Sequence, residues 1–315
     1  MLSVGVVDET PGTPDDAGMA HNPDQVTEIF QCAAEENQIS PLRAQQVVNL
    51  PAQGDVWIAG DLHDHRRNLD KLLYRADLAN HPDRHLILQE IVHGDHWDEN
   101  GAEGSWETLL RAANLKCDFP RQVHFLLANH DLAQIHGEGI MKGGQSVCAA
   151  FNKAVRRDFA GRSGVVQAAI TEFLLSFPLA IRTQNGLFFS HSVPTDTEVP
   201  VFDYGVFNRP LTGADYQRRT GPVYQLIWGR RTTPESVGQF LDNLCAQLIV
   251  TGHQPQEMGY AINGDRHLII ASDHNQGVFL RASLTGPLDM ETLLSGLTKF
   301  VAVELPEAGI AAAAD

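Results

Sequence analysis

The sequence predicts an α/β fold with mixed sheets, on three observations. From residue 56 to about 128, short apolar runs alternate with stretches of helical periodicity, the pattern of strand–loop–helix units. After Pro178 the runs pair around Asn-Gly turns, which tolerate the positive φ of tight hairpins. Residues able to hold a metal gather where the apolar runs end, and in open α/β sheets such strand ends converge on the ligand site.

Taken in order, residues 1–23 are rich in Pro, Gly and Asp and are expected to form a flexible acidic arm. Residues 24–50 read as a helical extension of two short helices, 24–37 and 40–49, the second opened by Ser40 as N-cap and Pro41 at the first helical position. Strands are expected at 56–59, 85–92 and 123–128, with helices at 65–79, where Leu69, Leu72, Leu73 and Ala76 recur at helical spacing, and at 106–116. Residues 145–177 read as mostly helical. Residues 179–183 and 187–190 form a hairpin around Asn185-Gly186, and further strands are expected at 261–262, 267–271, 278–282 and 300–303. One domain, 51–304, and a frayed tail, 305–315, complete the division.

The formal net charge of -16 argues against a partner that is nucleic acid or an anionic membrane, since both need a cationic surface. The excess is concentrated at the ends: the first 42 residues hold eight acids and no Lys or Arg, whereas residues 43–300 carry a net of only -5. Cys32, Cys117, Cys148 and Cys245 form no CxxC pair, which points to reduced thiols and a cytoplasmic setting rather than a disulfide framework or a thiolate zinc site. No apolar run approaches a membrane span, and the N-terminus lacks the features of an export signal.

The chemistry lies in five clusters, each at the end of an apolar run: Gly60-Asp61-Leu62-His63-Asp64, Gly94-Asp95-His96-Trp97-Asp98, Asn129-His130-Asp131, Ser190-His191 and Gly252-His253. Carboxylate, carboxamide and imidazole donors without thiolate suit Mn, Fe or Zn. Turn and capping chemistry also favours Asp, Asn and Gly at strand ends, but five clusters in this order exceed what turns require.

In that order the motifs resemble those of the calcineurin-like metallophosphoesterases, and within them the phosphoprotein-phosphatase branch of serine/threonine phosphatases, closest in pattern to its small bacterial and phage-type members. The resemblance spans Gly60 to Pro255. It implies a sandwich of two mixed β-sheets flanked by helices, with a dinuclear metal site at strand C-terminal ends. Two divalent ions, most simply Mn, with Fe or Zn as alternatives, would be held by Asp61, His63, Asp95, Asn129, His191 and His253, Asp95 bridging both. A metal-bridging hydroxide would attack the phosphorus of a phosphomonoester, His130 would protonate the leaving alkoxide, and Asp98 would orient His130. Relatives usually carry Arg after that second Asp, where this chain has Glu99. Leu226-Ile227-Trp228-Gly229-Arg230 resembles a Leu-Trp-x-Arg string that offers Arg230 as the phosphate-binding residue. The implied substrate is a phosphoprotein or a small phosphoester. The alternatives are a dinucleoside polyphosphate hydrolase and an inactive metal-containing binding protein, both suggested by Glu99.

Overall fold

Alternating residues of the central strands point into two different cores. Val56, Ile58 and Ile87 belong to an apolar layer shared with Ile181, Phe189, Val250, Leu268 and Ile270, so this layer lies between two sheets. Their neighbours Trp57, Ala59, Leu86 and Leu88 face the other way, into a core shared with Phe30, Leu69, Leu109, Phe151 and Phe173 of the covering helices. A strand buried on both faces reads as a continuous apolar run, which is the texture of this part of the sequence.

The computed structural model describes residues 21–137, 139–142 and 144–306. The strands are β1 (Arg43–Ala44), β2 (Val47–Asn49), β3 (Asp55–Asp61), β4 (Arg84–Gln89), β5 (Val123–Leu126), β6 (Met141–Lys142), β7 (Gln145–Ser146), β8 (Ala180–Arg182), β9 (Leu187–Phe189), β10 (Leu248–Thr251), β11 (Tyr260–Asn263), β12 (His267–Ile270), β13 (Val278–Ser283) and β14 (Leu297–Lys299). The helices are α1 (Pro23–Ile39), α2 (Arg66–Ala76), α3 (Trp106–Asp118), α4 (Asn129–His136), α5 (Val147–Phe159), α6 (Ser163–Leu175), α7 (Pro222–Trp228), α8 (Pro234–Asn243) and α9 (Met290–Ser295). One sheet has the order β14-β13-β3-β4-β5, the other β1-β2-β8-β9-β10-β12-β11, and β6 and β7 form a separate hairpin. Both large sheets are mixed: β3, β4 and β5 run parallel while β13 is antiparallel to β3, and β10 is parallel to both neighbours while β11 is antiparallel to β12. This is the implied two-sheet architecture.

Three expected elements differ. Residues 40–49 form β1 and β2 instead of a helix, because Gln45 adopts a left-handed φ of 55° and β2 pairs in parallel with β8. The second strand stops at Gln89, not at residue 92. Residues 300–302 form a turn of 3-10 helix, and the strand lies just before them, paired with β13. The expected acidic arm, apart from residues 21–23, and most of the tail lie outside the described residues. α1 packs on α3 and α6, with the fully buried Phe30 against Phe173 at 5.7 Å between ring centroids. No described helix is long and apolar enough to cross a membrane.

Candidate metal centre

Five segments meet where the two sheets touch. β3 ends on Asp61, whose carbonyl accepts from Ser272 N, while Gly60 N donates to Ser272 Oγ, so the loop after β12 is tied to the end of β3. His63 and Asp64 follow with φ of 42° and 57°. Glu90 (φ 45°) and His93 (φ 66°) follow β4, Asn129 and His130 open α4, His191 follows β9, and His253 (φ 66°) follows β10. Left-handed φ in non-glycine residues costs on the order of 1–3 kcal/mol each and persists where surroundings dictate it. Half of the described non-glycine residues with positive φ lie in this one cluster.

Glu90 is at the centre. It is 2% exposed, and its two oxygens face different neighbours. Oε1 lies 3.7 Å from His63 Nε2 and 3.5 Å from His130 Nε2, whereas Oε2 lies 3.1 Å from His191 Nε2. Asn129 Oδ1 is 2.8 Å from His191 Nε2 and 2.8 Å from His253 Nδ1. Asp61 Oδ1 accepts from His253 N at 2.9 Å. A side chain at Gly252 would collide with that Asp61 oxygen, so the position needs glycine.

The histidine tautomers are set from outside the cluster. His63 Nδ1 donates to the Val92 carbonyl at 3.0 Å, leaving the Nε2 lone pair toward Glu90. Gln89 Nε2 donates to the Ala59 carbonyl, so its Oε1 accepts from His191 Nδ1 at 2.9 Å and the His191 Nε2 lone pair faces Glu90 and Asn129. Second partners of this kind are typical of metal-ligating histidines. Lone pairs of Glu90, His191 and Asn129 thus point at one another, and Glu90 Oε2 is buried without a hydrogen bond. Burial alone would raise the Glu90 carboxyl, but His191, His130 and His63 hold it well below the usual range. Burial alone would lower His191, yet the neighbouring Glu90 raises it. Asp61 is pushed up to about 7 by burial and by Glu90. Carboxylate, carboxamide and imidazole donors converging in a buried cluster fit divalent cations. Among the described residues, the two sets whose ligand atoms approach closely are His63, Glu90 and His130, and Glu90, His191 and His253.

The structure therefore brings together Asp61, His63, Asn129, His130, His191 and His253, but neither Asp95 nor Asp98. Asp95 has a side chain 74% exposed and paired with Lys142 of the β6–β7 hairpin. Asp98 closes a turn, accepting from Asn100 N at 2.9 Å and Ala102 N at 2.8 Å, and pairs with Arg157. The reason is where β4 ends: Asp61 is paired with Gln89, so the residue delivered to the centre is Glu90, five positions before Asp95. Glu99 lies in the same exposed turn and says nothing about the phosphate site. Arg230 is exposed just beyond α7, and its charge acts on His253.

His93 stands where the orienting acid was expected. Gln134 Nε2 donates to Asn152 Oδ1 at 2.9 Å, so Gln134 Oε1 accepts from His93 Nε2 at 3.0 Å. His93 Nδ1 is then left to accept from His130 Nδ1 at 3.1 Å. Burial lowers His93 to about 4 and His130 to about 3, so both rings are neutral in this arrangement near pH 7. The sequence reading missed Glu90 and His93. The usable signal was a Gln-Glu pair inside a mostly apolar run, with a histidine three residues after the glutamate.

The sequence profile of the calcineurin-like phosphoesterases matches residues 54–266. Among solved structures, the fold is similar to that of a protein serine/threonine phosphatase from Saccharomyces cerevisiae with similarity to human phosphatase PP5. The TM-score is 0.68 at 16% identity, over 91% of this chain and 92% of that one. It is also similar to a cold-active protein-tyrosine phosphatase of a psychrophilic Shewanella, with TM-score 0.55 and 16% identity over 78% of each chain. No curated protein sequence matches the chain.

Proposed function

Because the chain belongs to the calcineurin-like phosphoesterase family and is a hydrolase of phosphoric esters, we propose that it cleaves phosphomonoesters at a two-metal centre whose central ligand would be Glu90. The observation that carries this reading is the orientation of that one buried carboxylate, with one oxygen toward His63 and His130 and the other toward His191. Asp61 and His63 would hold one cation, and Asn129, His191 and His253 the other. When bound, the pair of cations would supply Lewis acidity to phosphoryl oxygens and make a water nucleophile available near neutral pH. Mn suits the hard and borderline donors, with Fe or Zn as alternatives.

The chain's own residues do the rest. Arg230 would grip phosphate oxygens with its guanidinium fork. Gln89, the Val92 carbonyl and the Gln134–His93 pair orient three imidazoles so that each presents Nε2 to the reaction space. His130 is the group positioned to exchange a proton with the leaving oxygen.

The test compares two carboxylates. Glu90→Gln should bind fewer divalent ions by elemental analysis and lose at least about 100-fold in activity, in line with loss of a central metal ligand, whereas Asp95→Asn should stay within about twofold on both measures. The reverse pattern would overturn the assignment. The substrates are a phosphoserine peptide, phenyl phosphate and a dinucleoside tetraphosphate, and turnover of the last alone would favour nucleotide hydrolysis.

A further inference from the structure

α1 packs on α3, and each of these helices brings a cysteine to the interface: Cys32 in α1 and Cys117 in the last turn of α3. Ile29, Cys32 and Glu36, three and four residues apart, share one flank of α1 beside the buried Phe30, Ala33 and Asn37. Cys117 meets the whole of that flank. Its Sγ donates to the Ile29 carbonyl at 3.7 Å, its thiol meets the Cys32 thiol, and Glu36 is close enough to act on it. Glu36 acts on the neighbouring Lys116 as well. Cys32 is therefore bracketed by residues one turn before it and one turn after it that both reach Cys117. Neither thiol is in a disulfide, and Cys32 is exposed while Cys117 is half-buried.

We propose that Cys32 and Cys117 are a modification site, joined reversibly into a disulfide that fastens α1 to α3, with a low-molecular-weight disulfide such as oxidised glutathione as the oxidant. Facing thiols on packed helices need little backbone movement to join. Access fixes the order of attack. Cys32 is exposed and meets the oxidant first, whereas burial, the Cys32 thiol, Asp118 and Glu36 push the Cys117 thiol up to about 12, so it does not initiate. In the first exchange, Cys32 Sγ gives its proton to solvent and attacks one sulfur of the oxidant. The S–S bond of the oxidant breaks, and one glutathione leaves as a thiolate that takes up a proton. Cys32 in the mixed disulfide no longer carries the thiol that helped hold the proton on Cys117. Cys117 Sγ then attacks the Cys32 sulfur, and the second glutathione leaves. The two protein thiols are oxidised by two electrons, and the small disulfide is reduced to two thiols. The new bond would close a loop of about 85 residues and remove chain entropy from the unfolded state, which for a chain of this size corresponds to a rise in Tm of roughly 3–6 °C.

The test incubates the full chain, reduced and then freed of reductant, with oxidised glutathione. Intact mass spectrometry should show a main product that has lost two hydrogens within one chain, and a non-reducing peptide map should join the Cys32 peptide to the Cys117 peptide. Scanning calorimetry should show the rise in Tm of roughly 3–6 °C, reversed by dithiothreitol. Cys32→Ser should give neither the link nor the rise. Cys117→Ser should stop at the first exchange and hold one glutathione on Cys32, a trapped intermediate that a merely structural cysteine would not leave. Cys245, also exposed, is the competing thiol, and the map distinguishes it. Glutathione accumulating on Cys32 of the wild type without a link to Cys117 would overturn the proposal. So would a link from Cys32 to Cys245 or between two chains, or a Cys32-to-Cys117 link that leaves Tm unmoved. If Cys117→Ser fails to fold, the wild-type map and Cys32→Ser still decide.

Discussion

Glu103 is a fully buried carboxyl outside the ligand cluster that shapes the loop beneath it. Its Oε1 accepts from Gly94 N at 3.1 Å and Ser105 N at 2.8 Å, and Oε2 accepts from Ser105 Oγ at 2.9 Å. Burial pushes it up to about 7, against the bonds from Ser105. A carboxyl that holds its proton more tightly folded than unfolded gives stability that is full below the unfolded value, near 4.5, and is lost as pH rises toward 7. Glu103→Gln keeps the two backbone bonds without the ionisation. Urea melts from pH 4.5 to 7.5 should show the wild type losing on the order of 3 kcal/mol relative to the variant across that range. Parallel stability curves would show that Glu103 is ionised throughout. The residue scale also shows why part of the centre was legible. Asp61, His63, Asn129, His191 and His253 each follow an apolar run at its visible end, so the sequence places them at strand ends without coordinates. Glu90 and His93 escaped because Ile91 and Val92 continue the apolar texture past the end of β4, and the Asp-rich turn just downstream offered a more familiar ligand. Apolar texture records burial, whereas the end of a strand is set by backbone pairing.

At the scale of elements, α1 is held by its buried stripe: Val26, Phe30, Ala33 and Ala34 face the core, and the Asn22 side chain caps its start by accepting from Asp24 N. Phe30→Ala should therefore cost about 3–5 kcal/mol in chemical denaturation, the usual range for removing a buried phenyl ring. Metal stoichiometry should be unchanged, since none of the ligands lies on α1. A variant that lost metal instead would show that α1 supports the centre directly. The helix at 23–39 was readable from its periodicity. The strands at 43–49 were not, since Ser40-Pro41 resembles a helix start, and only pairing with the distant β8 overrides that local preference.

For the whole molecule, whose net charge is -16, cations bound by this cluster would add stability as well as chemistry. A ligand that binds only the folded state at 100 times its Kd adds about 2.7 kcal/mol per site. For a chain of this size that corresponds to a rise in Tm of roughly 4 °C per site. Scanning calorimetry across an Mn titration should show this rise in the wild type and little of it in Glu90→Gln. A Tm independent of Mn would count against the centre. The two-sheet architecture was available from the resemblance, and the alternation of Trp57 and Ala59 with Val56 and Ile58 now supplies its physical basis.

The meeting of the two sheets at the ligand cluster also bears on chain topology. Asp61 ends a strand of one sheet and Glu90 and Asn129 follow strands of that sheet, while His191 and His253 follow strands of the other. Asp61 and His253 are 192 residues apart along the chain. Cations held by both groups would act as a reversible cross-link closing very long loops, and the entropy removed by a cross-link grows with the logarithm of loop length. Chelation would then do more than remove a Lewis acid: it would untie the clasp that joins the sheets, and the apo chain should open first along their shared edge.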